Sequence, residues 1–273
     1  MKRISLIAVI LTILLAGAAS AAKLYLSYTY PGSIGFFQLE EKPKNAKVVV
    51  ASKGKTFVFP VISKKAYFVI PYGSGRWVRI SLYEGNTEKE RKTVKVAGKK
   101  YRISRIWVKE HKYTPELIKR IESEERLLKR ILSQVTPKKF RESFMRKPLK
   151  KLIVSTPFGA KRIINGKKRS IHWGTDFVAP KGTPVYAALS GKVVLARELF
   201  FTGKTVVIDH GLGIHTLYAH LSKIEVKEGA TVKAGKVIGK VGSTGRSTGP
   251  HLHFGVYVSG VRADPMLVLK SHF

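Results

Sequence analysis

His172, Asp176 and His253 are the side chains of this sequence best suited to hold a metal ion and leave it reactive. They sit in the segments HWGTDFVAP, which begins at His172, and TGPHLHF, which contains His251 and His253. Two imidazoles and one carboxylate fill three of the four positions around Zn²⁺, and the fourth stays open to water or substrate. His220, in the run LYAHL, and His251 stand beside them. Imidazoles that the metal does not need can transfer protons. The combination is that of a hydrolytic zinc site. The chain contains no cysteine, so sulfur ligation, disulfides and thiol chemistry contribute nothing, and ligation falls to His and Asp.

The spacing has a physical basis. Residues two apart in a strand share a face. His251 and His253 flank Leu252, so both imidazoles enter one cavity while Leu252 and Phe254 turn to the core, and Thr248-Gly249-Pro250 is the turn that feeds the strand. Between His172 and Asp176, Gly174 argues against a helix and predicts an extended or looped segment. Val206 to Asp209 reads as a strand running into a turn, which makes His210 structural, and His215 reads the same way. His111 and His272 lie outside the cluster and carry no chemistry in this reading. The run Gly242 to Gly249 lacks the Gly-Lys-Ser/Thr ending of a phosphate loop and reads as a tight turn delivering His251.

Short β-rich runs punctuated by glycine fill the remainder of the C-terminal part: Val185 to Ala188, Gly191 to Leu195, Thr205 to Asp209, Thr216 to Tyr218 and Lys236 to Gly239. Gly182-Thr-Pro-Val before Gly191-Lys-Val is echoed by Gly229-Ala-Thr-Val before Gly235-Lys-Val. The echo resembles the half-barrels of lipoyl and biotinyl carriers, but no lysine on a hairpin tip is singled out for modification.

From about Pro157 to Pro265 the chain resembles the lysostaphin-type (LytM-type) zinc metallopeptidases, which cut peptide bridges in bacterial cell wall. The landmarks are Phe158-Gly159, His172 and Asp176 in H-x-x-x-D, Ala179-Pro180 with Gly182 to Val185, Tyr218-Ala219-His220, Gly242 to Gly245, His251-Leu252-His253 and Asp264-Pro265. The resemblance implies that His172, Asp176 and His253 bind Zn²⁺ and that His220 and His251 are catalytic. His251, sharing a strand face with a ligand, is the expected general base. His220 then holds the water or stabilises the oxyanion, and the two roles can be exchanged. Family members often place a tyrosine or arginine ahead of the first ligand to support the transition state. Residues 165–171 hold no tyrosine, and Arg169 is expected to take that part. The implied substrate is the peptide of peptidoglycan. A D,D-endopeptidase of direct cross-links comes first, because nothing resembles the wall-targeting module of glycine-bridge enzymes. A glycyl-glycine endopeptidase is second. A catalytically inactive activator of other wall hydrolases is the non-enzymatic alternative, and retention of all five site residues stands against it.

Residues 1–21 read as a secretory signal: Lys2-Arg3, an apolar stretch from Ile4 to Leu15, and Ala19-Ser20-Ala21 before the cleavage point. Retention as an uncleaved anchor is the alternative; with the signal cleaved, no transmembrane span is expected. The expected location is the periplasm or cell envelope, or outside the cell. Lys+Arg total 51 against 17 Asp+Glu, a net charge of +34, which becomes +32 once Lys2 and Arg3 leave with the signal. Such a field favours anionic envelope surfaces. Specific nucleic-acid binding is set aside, because the basic residues are spread along the whole chain and no nucleic-acid-binding motif is visible.

The expected fold is mainly β in three parts. Residues 23–108 contain strand-like runs broken by turns, as in a small immunoglobulin-like β-sandwich. Residues 109–150 form a helical linker, with a helix from Pro115 to Val135 capped by Thr114. Its apolar stripe of Leu117, Ile121, Leu128, Ile131 and Val135 predicts docking as a strut between domains, and the basic stretch from Lys138 to Lys151 is expected to pack onto the C-terminal domain. Residues 151–273 form the metallopeptidase domain, a β-barrel or sandwich.

Overall fold

The structure, a computed structural model, describes residues 22–108, 113–137 and 144–272. The expected signal (1–21), His111 and the first part of the basic linker with Phe140 lie outside the described residues.

The N-terminal part holds seven strands in two sheets. They are β1 (Ala22–Leu26), β2 (Ile34–Leu39), β3 (Ala46–Ser52), β4 (Lys55–Val61), β5 (Lys65–Val69), β6 (Trp77–Glu84) and β7 (Thr87–Lys95). One sheet runs β1-β2-β5 and the other β4-β3-β6-β7. Period-two patterning sets the faces. In β3, Val48 and Val50 are buried while Lys47 and Val49 are only half-buried. Phe37 and Phe68 from one sheet share a core with Val50, Phe59 and Ile80 from the other. β1 and β2 were not legible as strands: Ile34-Gly-Phe-Phe-Gln-Leu is a nearly continuous apolar run without clean alternation.

The next strand, β8 (Ile103–Ile106), precedes α1 (Pro115–Leu132) in the chain. Thr114 Oγ1 accepts from the Leu117 N–H at 3.3 Å, and Pro115 occupies the first turn, where its missing N–H costs nothing. The helix stops at Leu132, short of the expected Val135. Ser133 caps it, and the following residues serve another purpose: the Leu212 N–H donates to the Thr136 carbonyl at 2.8 Å, and Thr136 Oγ1 donates to Asp209 Oδ2 at 2.9 Å. Leu127, Leu128, Ile131 and Leu132 pack on Leu195, Val207, Leu217 and Tyr257. Burial of Ile131 and Leu132 contributes about 1.5–3 kcal/mol each, enough to fix the helix on the sheet. On the exposed side of the helix, Glu122 pairs with Arg126 at 3.5 Å and Arg120 with Glu124 at 2.8 Å.

The C-terminal part continues with β9 (Val154–Thr156), β10 (Lys161–Ile164), β11 (Lys168–Ile171), β12 (Thr175–Val178), β13 (Pro184–Tyr186), β14 (Gly191–Leu199) and β15 (Gly203–Asp209). Then come β16 (Ile214–Ile224), β17 (Thr231–Val232), β18 (Val237–Val241), β19 (His251–Val258), β20 (Val261–Ala263) and the short α2 (Pro265–Val268). The main sheet runs β17-β14-β15-β16-β19-β12-β9, with the β13–β18 pair and β20 attached beside it. The fold is mainly β as expected, but the sheet stays open and does not close into a barrel. The two sequence echoes exchange partners: β13 pairs with β18, and β14 with β17.

Two features join the parts. β8 pairs in parallel with β10, so a strand that precedes the helix completes the small β11-β10-β8 sheet. The Asp264 N–H donates to the Gly32 carbonyl at 2.8 Å, and Lys99 pairs with the Asp264 carboxylate. Met145 and Leu149 of the basic linker are buried in the C-terminal core, where the Arg146 N–H donates to the Ala188 carbonyl at 2.8 Å. Among the described residues, no helix is long and apolar enough to cross a membrane.

Candidate metal centre and its flanking histidines

Three neighbouring strands build the site. Antiparallel pairing sets Asp176 on β12 opposite His253 on β19, and His253 opposite Ala219 on β16. Directly opposed residues share a sheet face. His251 and His253 share that face because they are two apart. His172 enters from the loop before β12, and that loop wraps closely around His253. A Cβ at Gly174 would lie 2.6 Å from His253 Cε1, so only glycine fits there.

His172 Nε2, Asp176 Oδ1 and His253 Nδ1 converge. Nε2 lies 2.9 Å from Oδ1 and 3.0 Å from Nδ1, and Nδ1 lies 2.7 Å from Oδ1. Among the described residues this is the one group of three or more His, Asp or Glu side chains placed to hold a metal ion. The Pro157 carbonyl lies 3.1 Å from His172 Nδ1 and can only accept, so it fixes the tautomer with the proton on Nδ1. The Nε2 lone pair then points at a carboxylate oxygen, an arrangement that calls for a cation between them. The donor set of two nitrogens and one oxygen suits Zn²⁺ with a free position.

His220 reaches the same cavity by a backbone irregularity. Strand alternation would turn the residue after Ala219 to the opposite face. Here β16 carries a bulge against β15, and His220 takes φ 62° in the left-handed region. Its ring stands 4.7 Å from that of His251 and 6.0 Å from that of His253. A non-glycine residue in this conformation costs free energy and persists where the surroundings dictate it. The turn after β18 orients both flanking histidines: His220 Nδ1 donates to the Thr244 carbonyl at 2.8 Å, and His251 Nδ1 to the Gly249 carbonyl at 2.8 Å. Each ring therefore turns Nε2 into the cavity. His251 Nε2 lies 3.8 Å from Asp176 Oδ1. Gly245 lets that turn pack tightly, since a Cβ there would meet the Gly203 nitrogen at 2.3 Å.

Burial keeps two of these imidazoles neutral. Burial pushes His172 down to about 4 against the opposing pull of Asp176. Burial, reinforced by His253 and His251, pushes His220 down to about 3. Burial also resists ionisation of Asp176, but the approach of His172 and His253 outweighs it and holds this carboxyl well below the usual range. At neutral pH His172 and His220 are thus uncharged and Asp176 is a carboxylate.

The arginine beside the site is Arg162. Its Nη2 donates to Asp176 Oδ2 at 2.5 Å from β10. Arg169, the arginine expected from sequence, is exposed on β11 opposite Ile163. Only the register of the β10–β11 hairpin distinguishes the two, and β10 was not legible as a strand. His210 is buried, with Nδ1 on the Ser190 carbonyl and Nε2 on Thr216 Oγ1. His215 is buried across from Asp209. His272 meets the Phe144 ring at 6.3 Å.

Two imidazoles and a carboxylate around one point, flanked by two further bases in a cleft, define the class of metallohydrolases. Comparison with known proteins agrees. The family model described as peptidase family M23 matches residues 170–265. A crystal structure of a putative peptidase M23 from Pseudomonas aeruginosa is 31% identical, covering 88% of this chain and 94% of that one, with a TM-score of 0.65. The chain belongs to peptidase family M23. Among curated relatives, the DD-carboxypeptidase/endopeptidase Mpg of Neisseria meningitidis is 43% identical over 121 residues, 44% of this chain and 28% of Mpg. The peptidoglycan DD-endopeptidase ShyC of Vibrio cholerae is 42% identical over 130 residues, 47% of this chain and 30% of ShyC. Lysostaphin of Staphylococcus staphylolyticus is 46% identical over 114 residues, 40% of this chain and 23% of lysostaphin. The chain thus spans less than a third of the length of these curated relatives.

Proposed function

We propose that this protein is an exported zinc endopeptidase that hydrolyses the peptide cross-links of peptidoglycan, with the bond between D-amino acids as its target. The observation that carries the reading is the convergence of His172 Nε2, Asp176 Oδ1 and His253 Nδ1 beside two imidazoles whose Nε2 atoms face the cavity. Similarity to relatives named DD-endopeptidase supports the choice of bond. His172, Asp176 and His253 would hold Zn²⁺, which would supply Lewis acidity toward water and the scissile carbonyl. His251 Nε2 takes the proton from the attacking water and returns it to the leaving amine. His220 Nε2, set across from it, accepts a hydrogen bond from the attacking water and holds it in place. Arg162 holds Asp176 in its orientation. The basic surface retains the protein at anionic envelope polymers.

The test is digestion of purified cell wall by the protein with zinc, with chelator, and with zinc restored, read by mass spectrometry of the fragments. Cleavage that chelation abolishes and zinc restores supports the reading, and fragment masses identify the bond. Cleavage indifferent to chelation, or none with zinc present, overturns it.

A further inference from the structure

A pocket lined by basic side chains lies on the N-terminal sandwich where it meets the C-terminal part. It has a volume of about 600 Å³ and is lined by Lys53, Arg76, Lys95, Lys99, Tyr101 and the turn Gly73–Gly75. No carboxylate lines it. Lys99 pairs with Asp264, but Lys53, Arg76 and Lys95 have no acidic partner within 4.0 Å among the described residues. Gathering like charges in one concavity raises the local potential and favours an anion there.

The pocket is tied together by its backbone. Ser52 Oγ accepts from the Gly75 N–H at 2.9 Å and donates to the Trp77 carbonyl at 3.1 Å, which fastens the Lys53 turn to the Gly75 turn. The Val96 N–H donates to the Arg76 carbonyl at 2.8 Å, and the Ala97 N–H to the Thr29 carbonyl at 2.9 Å. Three loops are thereby held in register, with the cationic side chains on their rim.

Aromatic rings connect this pocket to the loop that carries the first metal ligand. Tyr101 stands 4.7 Å from Tyr72, and Tyr72 meets Trp173 edge-on at 5.1 Å. Trp173 follows His172 directly, and Arg262 lies over its ring at 4.7 Å. An extended peptide advancing about 3.3 Å per residue covers the stretch from Tyr101 to Trp173 in roughly three residues.

We propose that the Lys53–Arg76–Lys95 pocket is a substrate subsite that takes a carboxylate of the wall peptide whose cross-link lies at the metal centre, with Tyr72 and Trp173 as the wall between the two. The proposal rests on the peptidoglycan reading above. In it the N-terminal sandwich grips substrate directly.

The experiment measures binding of a soluble, uncross-linked muropeptide, which has no cross-link to cut, to the full chain by titration calorimetry. The expected result is that Lys53→Glu/Arg76→Glu/Lys95→Glu weakens binding at least tenfold, that neutralising glutamines at the same positions weaken it less, and that Lys42→Glu/Lys44→Glu elsewhere on the sandwich leaves it unchanged. Amidating the carboxylates of the muropeptide should remove the difference between wild type and the reversed pocket. Equal binding by the reversed pocket and wild type, equal loss in the control, or no binding to wild type overturns the proposal. So does pocket-dependent binding of a glycerol-phosphate polymer alone, which would make the pocket a phosphate site. None of these outcomes bears on the zinc-dependent digestion above, so the two readings fail separately.

Discussion

Arg162 Nη2 grips the outer oxygen of Asp176, Oδ2, while the inner oxygen, Oδ1, faces His172 and His253. A ligand held from behind in this way cannot rotate out of the cavity without breaking a charge-assisted bond. Arg162→Ala is expected to weaken zinc binding by about 10- to 100-fold, the range seen when such outer partners are removed. Chelator competition measures this directly, and Arg162→Lys should recover part of the loss. Unchanged affinity in Arg162→Ala would show the contact to be incidental.

Ligand and base should separate on mutation. His253→Ala removes one of three donors and is expected to abolish both zinc binding and wall cleavage. His251→Ala should abolish cleavage by about 100-fold or more, the scale of general-base catalysis, while zinc stays bound. Loss of the metal in His251→Ala would exchange the assigned roles.

The left-handed backbone at His220 makes its own prediction. His220→Gly and His220→Ala both lose the imidazole, so both should lose cleavage. Glycine alone relieves φ 62°. The glycine variant is therefore expected to be more stable than the alanine variant by about 1 kcal/mol, read from urea midpoints. Equal midpoints would mean that the bulge relaxes without strain.

Acid should unfold the protein partly through His210, which directly follows β15 and is not among the metal ligands. Burial pushes it down to about 4 from its ordinary 6.5. The unfolded chain therefore binds a proton that the folded chain refuses between those two values. Stability from this group is fully present above pH 6.5 and is lost as pH falls toward 4, at up to about 1.4 kcal/mol per pH unit. His210→Gln should flatten the fall in stability between pH 6.5 and 4.5 by about one proton. An identical slope in the variant would mean that other groups carry the dependence.

Docking of α1 is testable at Ile131, which is buried against the outer sheet cluster. Ile131→Ala is expected to cost about 2–4 kcal/mol, measured by thermal or urea unfolding. A change under about 0.5 kcal/mol would mean that the helix contributes little to the fold.

What was legible in the sequence follows from range. His172 and Asp176 lie four residues apart, and His251 and His253 two apart, so local geometry sufficed to pair them. Thr114-Pro115 announced the start of α1 for the same reason. Its end did not, because Thr136 bonds to Asp209 across the fold, and no local signal records that. Arg162 lay hidden until the β10–β11 register was known. The turn of His220 into the cavity depends on a bulge that alternation alone would contradict. Tyr72 is far from Trp173 in sequence, and only packing of the sandwich beside the metal loop reveals that the two rings meet.

The parallel pairing of β8 with β10 means that the two halves are stitched, not strung. A cut anywhere between Val108 and Tyr113 would leave the sandwich fragment holding a strand of the peptidase part's small sheet. The sandwich fragment would keep the edge strand of its neighbour's hairpin, and the peptidase fragment would expose the bare flank of the strand that carries Arg162. Nicked protein should therefore migrate as one particle until denatured, and a peptidase half prepared alone inherits a raw edge prone to self-association.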